Sequence, residues 1–279
     1  MRVAVVGHVE WIRFARVEHV PLAGEIVHAS EDWEEAGGGG AVAAVQLARL
    51  AGSCLFITAL GDDELGHRAE AEFEQLGVRV AADWRPERQR EAFVYVDAEG
   101  ERTITVIGER LGPRGEEPLP WDELVDADAV YFTAGDSAAL RAARSARILI
   151  ASVRAKEVLA SAGVQVDVLV ASGNDRGERY MPGDIEPVPR LVARTAGGEG
   201  GTLLRPEGTM SRWASAALPG PAVDAYGAGD CFAAGLTFGL GDGRSIEDAL
   251  ALGARCGAAC MTGRGPYEAQ LRFAAAPKP

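Results

Sequence analysis

Val223-Asp224-Ala225-Tyr226-Gly227-Ala228-Gly229-Asp230 runs straight into Cys231-Phe232-Ala233-Ala234-Gly235-Leu236. A polar, glycine-rich turn therefore meets an apolar helical run, and the backbone N–H groups of the turn fall at a helix N-terminus. Unpaired donors and the positive end of the helix dipole make such a terminus an anion hole. Gly227 and Gly229 remove the Cβ atoms that would keep a phosphate off the backbone. Asp230 lies in the first turn, where a carboxylate meets whatever the hole retains. That combination suits phosphoryl transfer to a hydroxyl: the hole takes the developing charge and the carboxylate takes the proton. An N-capped helix behind a tight turn is the simpler reading, and the stretch alone leaves both open.

Working outward, short apolar runs alternate with helical patterns, which is the sign of a parallel sheet covered by helices. Strands are expected at Arg2–Gly7, Leu55–Leu60, Ala129–Thr133, Ile148–Ser152, Val166–Val170 and Leu191–Thr195, with helices between them. Gly201–Arg205 and Ser211–Ala214 read as a late hairpin. Helices are expected at Ala41–Leu50, Glu64–Leu76, Asp230–Leu240 and Ile246–Met261. Leu65, Ala69, Phe73 and Leu76 form one stripe of the second. Two stretches, about 12–35 and 91–107, show period-two patterning with no helix between, and the Asp97-Ala98-Glu99-Gly100 turn makes a hairpin of the latter. No linker or internal repeat divides the chain, so 1–279 reads as one domain.

The 223–230 run resembles the Asp-Thr-x-Gly-Ala-Gly-Asp motif of the ribokinase-like sugar kinases, the phosphofructokinase-B family, with Ala225 and Tyr226 replacing the Thr and the variable residue. Gly37-Gly38-Gly39-Gly40, followed by a helix ending Ala48-Arg49-Leu50, resembles the family's first motif. Phe56-Ile57-Thr58-Ala59-Leu60-Gly61-Asp62-Asp63-Glu64-Leu65-Gly66 resembles its next, and Thr195-Ala196-Gly197-Gly198-Glu199-Gly200 its nucleotide loop. The matches follow in order over nearly the whole chain. The resemblance implies a three-layer α/β sandwich with a mostly parallel central sheet and a small β-sheet lid built from 12–35 and 91–107. It implies Asp230 as base, Gly227, Ala228 and Gly229 as the anion hole, and Gly38 and Gly39 at the acceptor. Thr195, Gly197, Gly200, Gly227, Gly229 and Ala258 would then serve ATP.

Some positions depart from the family pattern. The Asn that bonds a substrate hydroxyl falls on Val42. The Asn and Asp near the N-terminus fall on Glu10 and Ile12, aligned through Val17, Pro21, Gly24 and Glu25. A site built to bond hydroxyls loses much when those partners go. The pocket is thus expected to hold something less polar than ribose, or something held from elsewhere, with Glu10 facing it. Where relatives carry Asn-x-x-Glu for the Mg²⁺ shell, this chain has Ser172 and Asp175, with Asn174 and Glu178 at another spacing. Asp175 is the candidate for Mg²⁺. Asp224 is the candidate for a monovalent cation such as K⁺, or a turn-former.

A net charge of −13 over 279 residues argues against nucleic acid or anionic membrane as partner. No apolar run reaches spanning length and Met1 opens a strand, which reads as cytoplasmic. Cys54, Cys231, Cys256 and Cys260 form no Cys-x-x-Cys pair and read as reduced, buried residues; no two of the four histidines have metal spacing. His8 follows the first strand, at the substrate mouth or as a structural residue. The reading is an ATP-dependent kinase for a hydroxyl of a small sugar-like or nucleoside-like substrate, with a homodimer through the lid. A kinase for a vitamin-type alcohol and a non-catalytic sensor on the same fold are the alternatives. A nicotinamide enzyme is disfavoured, because Val6-Gly7-His8-Val9 lacks Gly-x-Gly-x-x-Gly.

Overall fold

The computed structural model describes residues 1–273. In chain order the elements are β1 (Val3–Val6), β2 (Glu10–Arg16), β3 (Glu31–Gly37), α1 (Gly39–Ala51), β4 (Cys54–Gly61), α2 (Glu64–Gln75), β5 (Val78–Arg85), β6 (Glu91–Val96) and β7 (Arg102–Ile107). There follow β8 (Ala129–Phe132), α3 (Ser137–Ala143), β9 (Leu149–Ser152), α4 (Lys156–Ala162), β10 (Val168–Ser172), β11 (Leu191–Thr195), β12 (Gly201–Leu204), β13 (Met210–Trp213), α5 (Ala228–Gly241) and α6 (Ile246–Cys260).

Nine strands form the main sheet in the order β13-β12-β11-β10-β9-β8-β1-β4-β5. Its pairs are parallel from β5 to β11, and β12 and β13 are added antiparallel at one edge. The pleat explains the apolar runs. Val3 and Val5 point into one core with α1, α5 and α6, while Ala4 and Val6 point into a second with α3 and α4. A parallel strand covered on both faces needs apolar residues at every position, not at alternate ones. Helices therefore lie on both sides of the sheet.

The small sheet has the order β3-β2-β6-β7. Its inner residues Ile12, Phe14, Val94 and Val96 are buried, whereas all six residues of β7 are exposed. Half-covered strands alternate, and 91–107 was legible for that reason.

The sequence patterning does not reveal β5. Val78–Arg85 pairs in parallel with β4 along its whole length, yet carries Arg79, Asp83 and Arg85. It is an edge strand, and the Arg85 guanidinium lies 2.5 Å from Asp83 and 3.3 Å from Glu117, with its buried Nη2 left without a hydrogen-bond partner. An edge tolerates such charges and hides the apolar signal. Strand β10 begins two residues later than the expected Val166, because the Asp167 carboxylate accepts from the Leu149 amide (2.8 Å) and from Arg144 (2.7 Å). All four cysteines are buried and free. No helix among the described residues is long and apolar enough to cross a membrane.

Candidate active site

Helix α5 begins at Ala228 with Gly227 as its N-cap at φ +80°, a left-handed conformation that favours glycine. A Cβ there would also sit 3.0 Å from Val42 Cγ1 and from Pro266. No side chain caps this helix. The Cys231 amide donates to the Gly227 carbonyl at 2.9 Å, and the Ala228 amide reaches Ala225 at 3.4 Å. The first-turn donors of an uncapped α-helix otherwise face outward for a ligand. Gly229 is exposed, and a Cβ built on it meets nothing within 4 Å. Open space lies where an anion would approach.

The turn is held from three sides. Asp224 is buried; its Oδ1 accepts the Tyr226 amide at 2.8 Å and its Oδ2 the Gly265 amide at 3.0 Å. The Tyr226 hydroxyl accepts the Gly38 amide at 3.1 Å, which latches the turn to the glycine loop before α1. The Ala225 amide donates to the Gly100 carbonyl at 3.0 Å, so the hairpin tip of the small sheet also rests on the turn. The sequence marks Tyr226 and Gly100 as motif and turn positions but not these contacts, because a latch across 188 residues leaves no local pattern.

Asp230 lies against Gly39: a Cβ on that glycine would be 2.7 Å from Asp230 Oδ1. The two motifs thus meet, and only a residue without a side chain lets the carboxylate stand there. Burial pushes the Asp230 carboxyl up to about 6; Arg154 opposes the shift, Glu178 adds to it, Arg102 opposes it and Glu10 adds a little. The group is thereby tuned toward accepting a proton near neutrality.

The substrate-side residues divide. Gly38 and Gly39 lie in this wall. Ile12 and Val42 are fully buried, Ile12 behind Gly37 and Val42 behind Gly227. Both support the wall and present no polar atom to a substrate. Glu10 lies 2.9 Å from Arg90 Nε and 3.8 Å from His8 Nε2. Its carboxyl is raised by burial, against the pull of Arg90, Arg110 and Arg154. His8 is buried, and burial and the same three arginines hold its pKa well below the ordinary value. It is a neutral imidazole.

Thr195 closes β11, and Gly197 and Gly200 bracket a short helical turn at Gly197–Glu199. Ala258 is buried on α6, which packs closely on α5 through facing small residues. Asp175 accepts the Gly177 amide at 2.8 Å and lies 3.5 Å from Arg154, which also pairs with Glu178. A hard cation that keeps its waters asks for one or two carboxylates, and this pair has the right chemistry. No group of three or more His, Cys, Asp or Glu among the described residues forms an all-protein metal site. Of the two carboxylates, Glu178 is the one whose charge acts on Asp230.

Arg90, Arg110 and Arg154 were missed in sequence. They stand alone before β6, after β7 and after β9, and nothing in their spacing links them. Arg110 and Arg154 line, with Thr133, Gly135 and Asp136, a cleft of about 350 Å³. It opens at the carboxyl ends of β8 and β9, where open α/β sheets place their ligands.

The model of the pfkB family carbohydrate kinases matches residues 1–151 and 185–272. An ATP-dependent ribose-1-phosphate kinase of Halopiger xanaduensis is 30% identical, with 92% of this chain and 91% of the relative covered. A 2-dehydro-3-deoxygalactonokinase of Haloferax volcanii is 27% identical, with 80% of each covered. Among solved structures, an Arabidopsis thaliana ribokinase complexed with ribose and ATP superposes with a TM-score of 0.75 at 20% identity, covering 97% of this chain and 96% of that one.

Proposed function

The chain belongs to the pfkB family of carbohydrate kinases, and from that premise we propose the chemistry of its site. As a member it is an ATP-dependent phosphotransferase with a small carbohydrate-type acceptor. In our reading Asp230 takes the proton of the acceptor hydroxyl as that oxygen bonds to the γ-phosphorus. The bond between the γ-phosphorus and the bridging oxygen breaks, and ADP leaves with that oxygen. Gly227, Ala228 and Gly229 present the uncapped helix terminus to the transferring phosphoryl group. Thr195, Gly197, Gly200 and Ala258 serve the nucleotide. Glu178 and Asp175 would hold Mg²⁺ through its waters, and the ion would neutralise phosphate charge. We assign Asp224 as a tie between the turn and Gly265, not a K⁺ ligand, because both of its oxygens accept backbone amides.

The observation that carries this reading is the placement of Asp230 on Gly39, beside an uncapped helix terminus with open space at Gly229. Asp230→Asn keeps the shape and removes the base. Its kcat should fall by ~10²–10⁴ in a coupled ADP-release assay, with ATP affinity little changed. Near-full turnover by this variant would refute the assignment. The exposed β7, with Ile104, Val106 and Ile107 on its surface, supports a homodimer through the lid. Light scattering would test it.

A further inference from the structure

The cleft that Arg110, Arg154 and Thr133 line holds polar groups that the protein itself leaves without partners. Arg110 is exposed and has no carboxylate partner among the described residues; it donates to the Arg154 carbonyl at 3.5 Å. Arg154 is shared between Glu178 and Asp175. Arg90 is close to Glu10, but its buried Nε has no aligned acceptor. Arg90 thus stands on Glu10, Arg110 and Arg154 share the cleft with Thr133, and the charges of all three act on His8 and Glu10.

Four acids line the cleft with Arg85, Arg110, Arg114 and Arg154, but none of them forms an ion pair with Arg110 or Arg154. Asp136 accepts the amides of Gly115 (3.0 Å) and Ala139 (2.7 Å) as the cap of α3. Glu87, Glu109 and Glu157 are exposed at the cleft mouth, as are Arg110 and Arg154, and stay apart from both guanidinium groups. A second, independent sign is that Thr133 Oγ1 and His8 Nδ1 have no hydrogen-bond partner, although Thr133 is 98% buried and lines the cleft, and His8 is 97% buried. Buried polar atoms without partners mark a place where a ligand supplies them. Gathering like charges around orphaned polar atoms is costly unless an anion joins them.

We propose that the acceptor of this kinase carries an anionic group, a phosphate or a carboxylate, bound in this cleft by Arg110. In this arrangement Arg90 and Arg154 supply the surrounding positive field, and Thr133 gives a further hydrogen bond. The inference rests on the kinase reading and deepens it. It also accounts for the aliphatic Ile12 and Val42: the acceptor is gripped by its charge from the arginine side, not by hydroxyls at those two positions. Arg154 sits between the two ends, since its charge also acts on Asp230.

The test is a coupled ADP-release assay on the intact protein with a pentose and a hexose, their monophosphates, and their aldonic acids. We expect one anionic series to exceed its neutral parents by ~100-fold or more in kcat/KM, and which series wins separates phosphate from carboxylate. Arg110→Gln should erase most of that advantage by raising the acceptor KM ~10–100-fold, with the KM for ATP unchanged. Asp230→Asn should instead lower kcat for every acceptor, so the two readings fail separately. Neutral sugars used as well as their anions would overturn the proposal. So would Arg110→Gln acting on the KM for ATP, or on nothing. Calorimetry with inorganic phosphate decides the matter without turnover. Binding lost in Arg110→Gln supports the subsite, and equal or absent binding in both proteins, together with no binding of a sugar acid, overturns it.

Discussion

The two ends of the site are built from different material. The proposed phosphate end is backbone: a helix terminus at Gly227–Asp230 without a side-chain cap, with glycines removing side chains so that amides stand bare. The proposed acceptor end is side chains: His8 and Glu10 beside Arg90, and Arg110 with Thr133 in the cleft, delivered by separate strands and loops. Peptide dipoles at a helix end are the same whatever the residue, so one chemistry can be kept there by a short local motif. Side chains that grip an acceptor can be exchanged one at a time, and recognition changes with them. The backbone end is therefore damaged by adding atoms, and the side-chain end by removing or neutralising them.

The sharpest way to break this contrast is Gly229→Val. Nothing in the protein lies within 4 Å of the new Cβ, so the variant should fold with a thermal midpoint close to the parent. The branched side chain fills the space meant for phosphate, and turnover should drop below detection. A folded Gly229→Val with ordinary kinetics would mean that no phosphate reaches this turn.

A smaller effect follows from the burial that raises the Asp230 carboxyl. Its carboxyl, raised from the ordinary value of 3.8 to about 6, must be ionised to accept a proton. The sign follows directly: below pH ~6 the base is increasingly protonated, and kcat/KM should fall about tenfold per pH unit. Above that pH the limb should flatten. The residual rate of Asp230→Asn should lack the limb, and an unchanged limb in that variant would assign it to another group.

The smallest effect concerns the seam between the ends. Val42 sits where a hydroxyl-bonding Asn would be expected, but it is fully buried against Gly227. Val42→Asn should therefore not create ribose kinase activity. It should instead cost stability, about 1–3 kcal/mol in denaturant unfolding, for a buried amide with incomplete partners. A gain in ribose turnover would show that this position faces the acceptor after all.

The sequence by itself determined the layers of the fold and the helix terminus at which we propose that phosphate binds. Apolar runs such as Val3–Val6 and Leu55–Leu60 record burial on both faces of a sheet, and the alternation in Glu91–Val96 records burial on one. The 223–230 stretch was legible because a helix terminus is a local object, with its glycines and carboxylate in consecutive positions. The edge strand β5 was hidden, since half-burial lets Asp83 stand, and the Asp83 ion pair lets Arg85 be buried, where an apolar signal would be read. Tertiary structure alone decided that Tyr226 latches onto Gly38, that Glu10 meets Arg90, and that Arg110 and Arg154 share a cleft. Those residues lie far apart in the chain and obey no spacing rule. Only the strand order, with β8 between β1 and β9 and the small sheet folded back over the turn, brings them together.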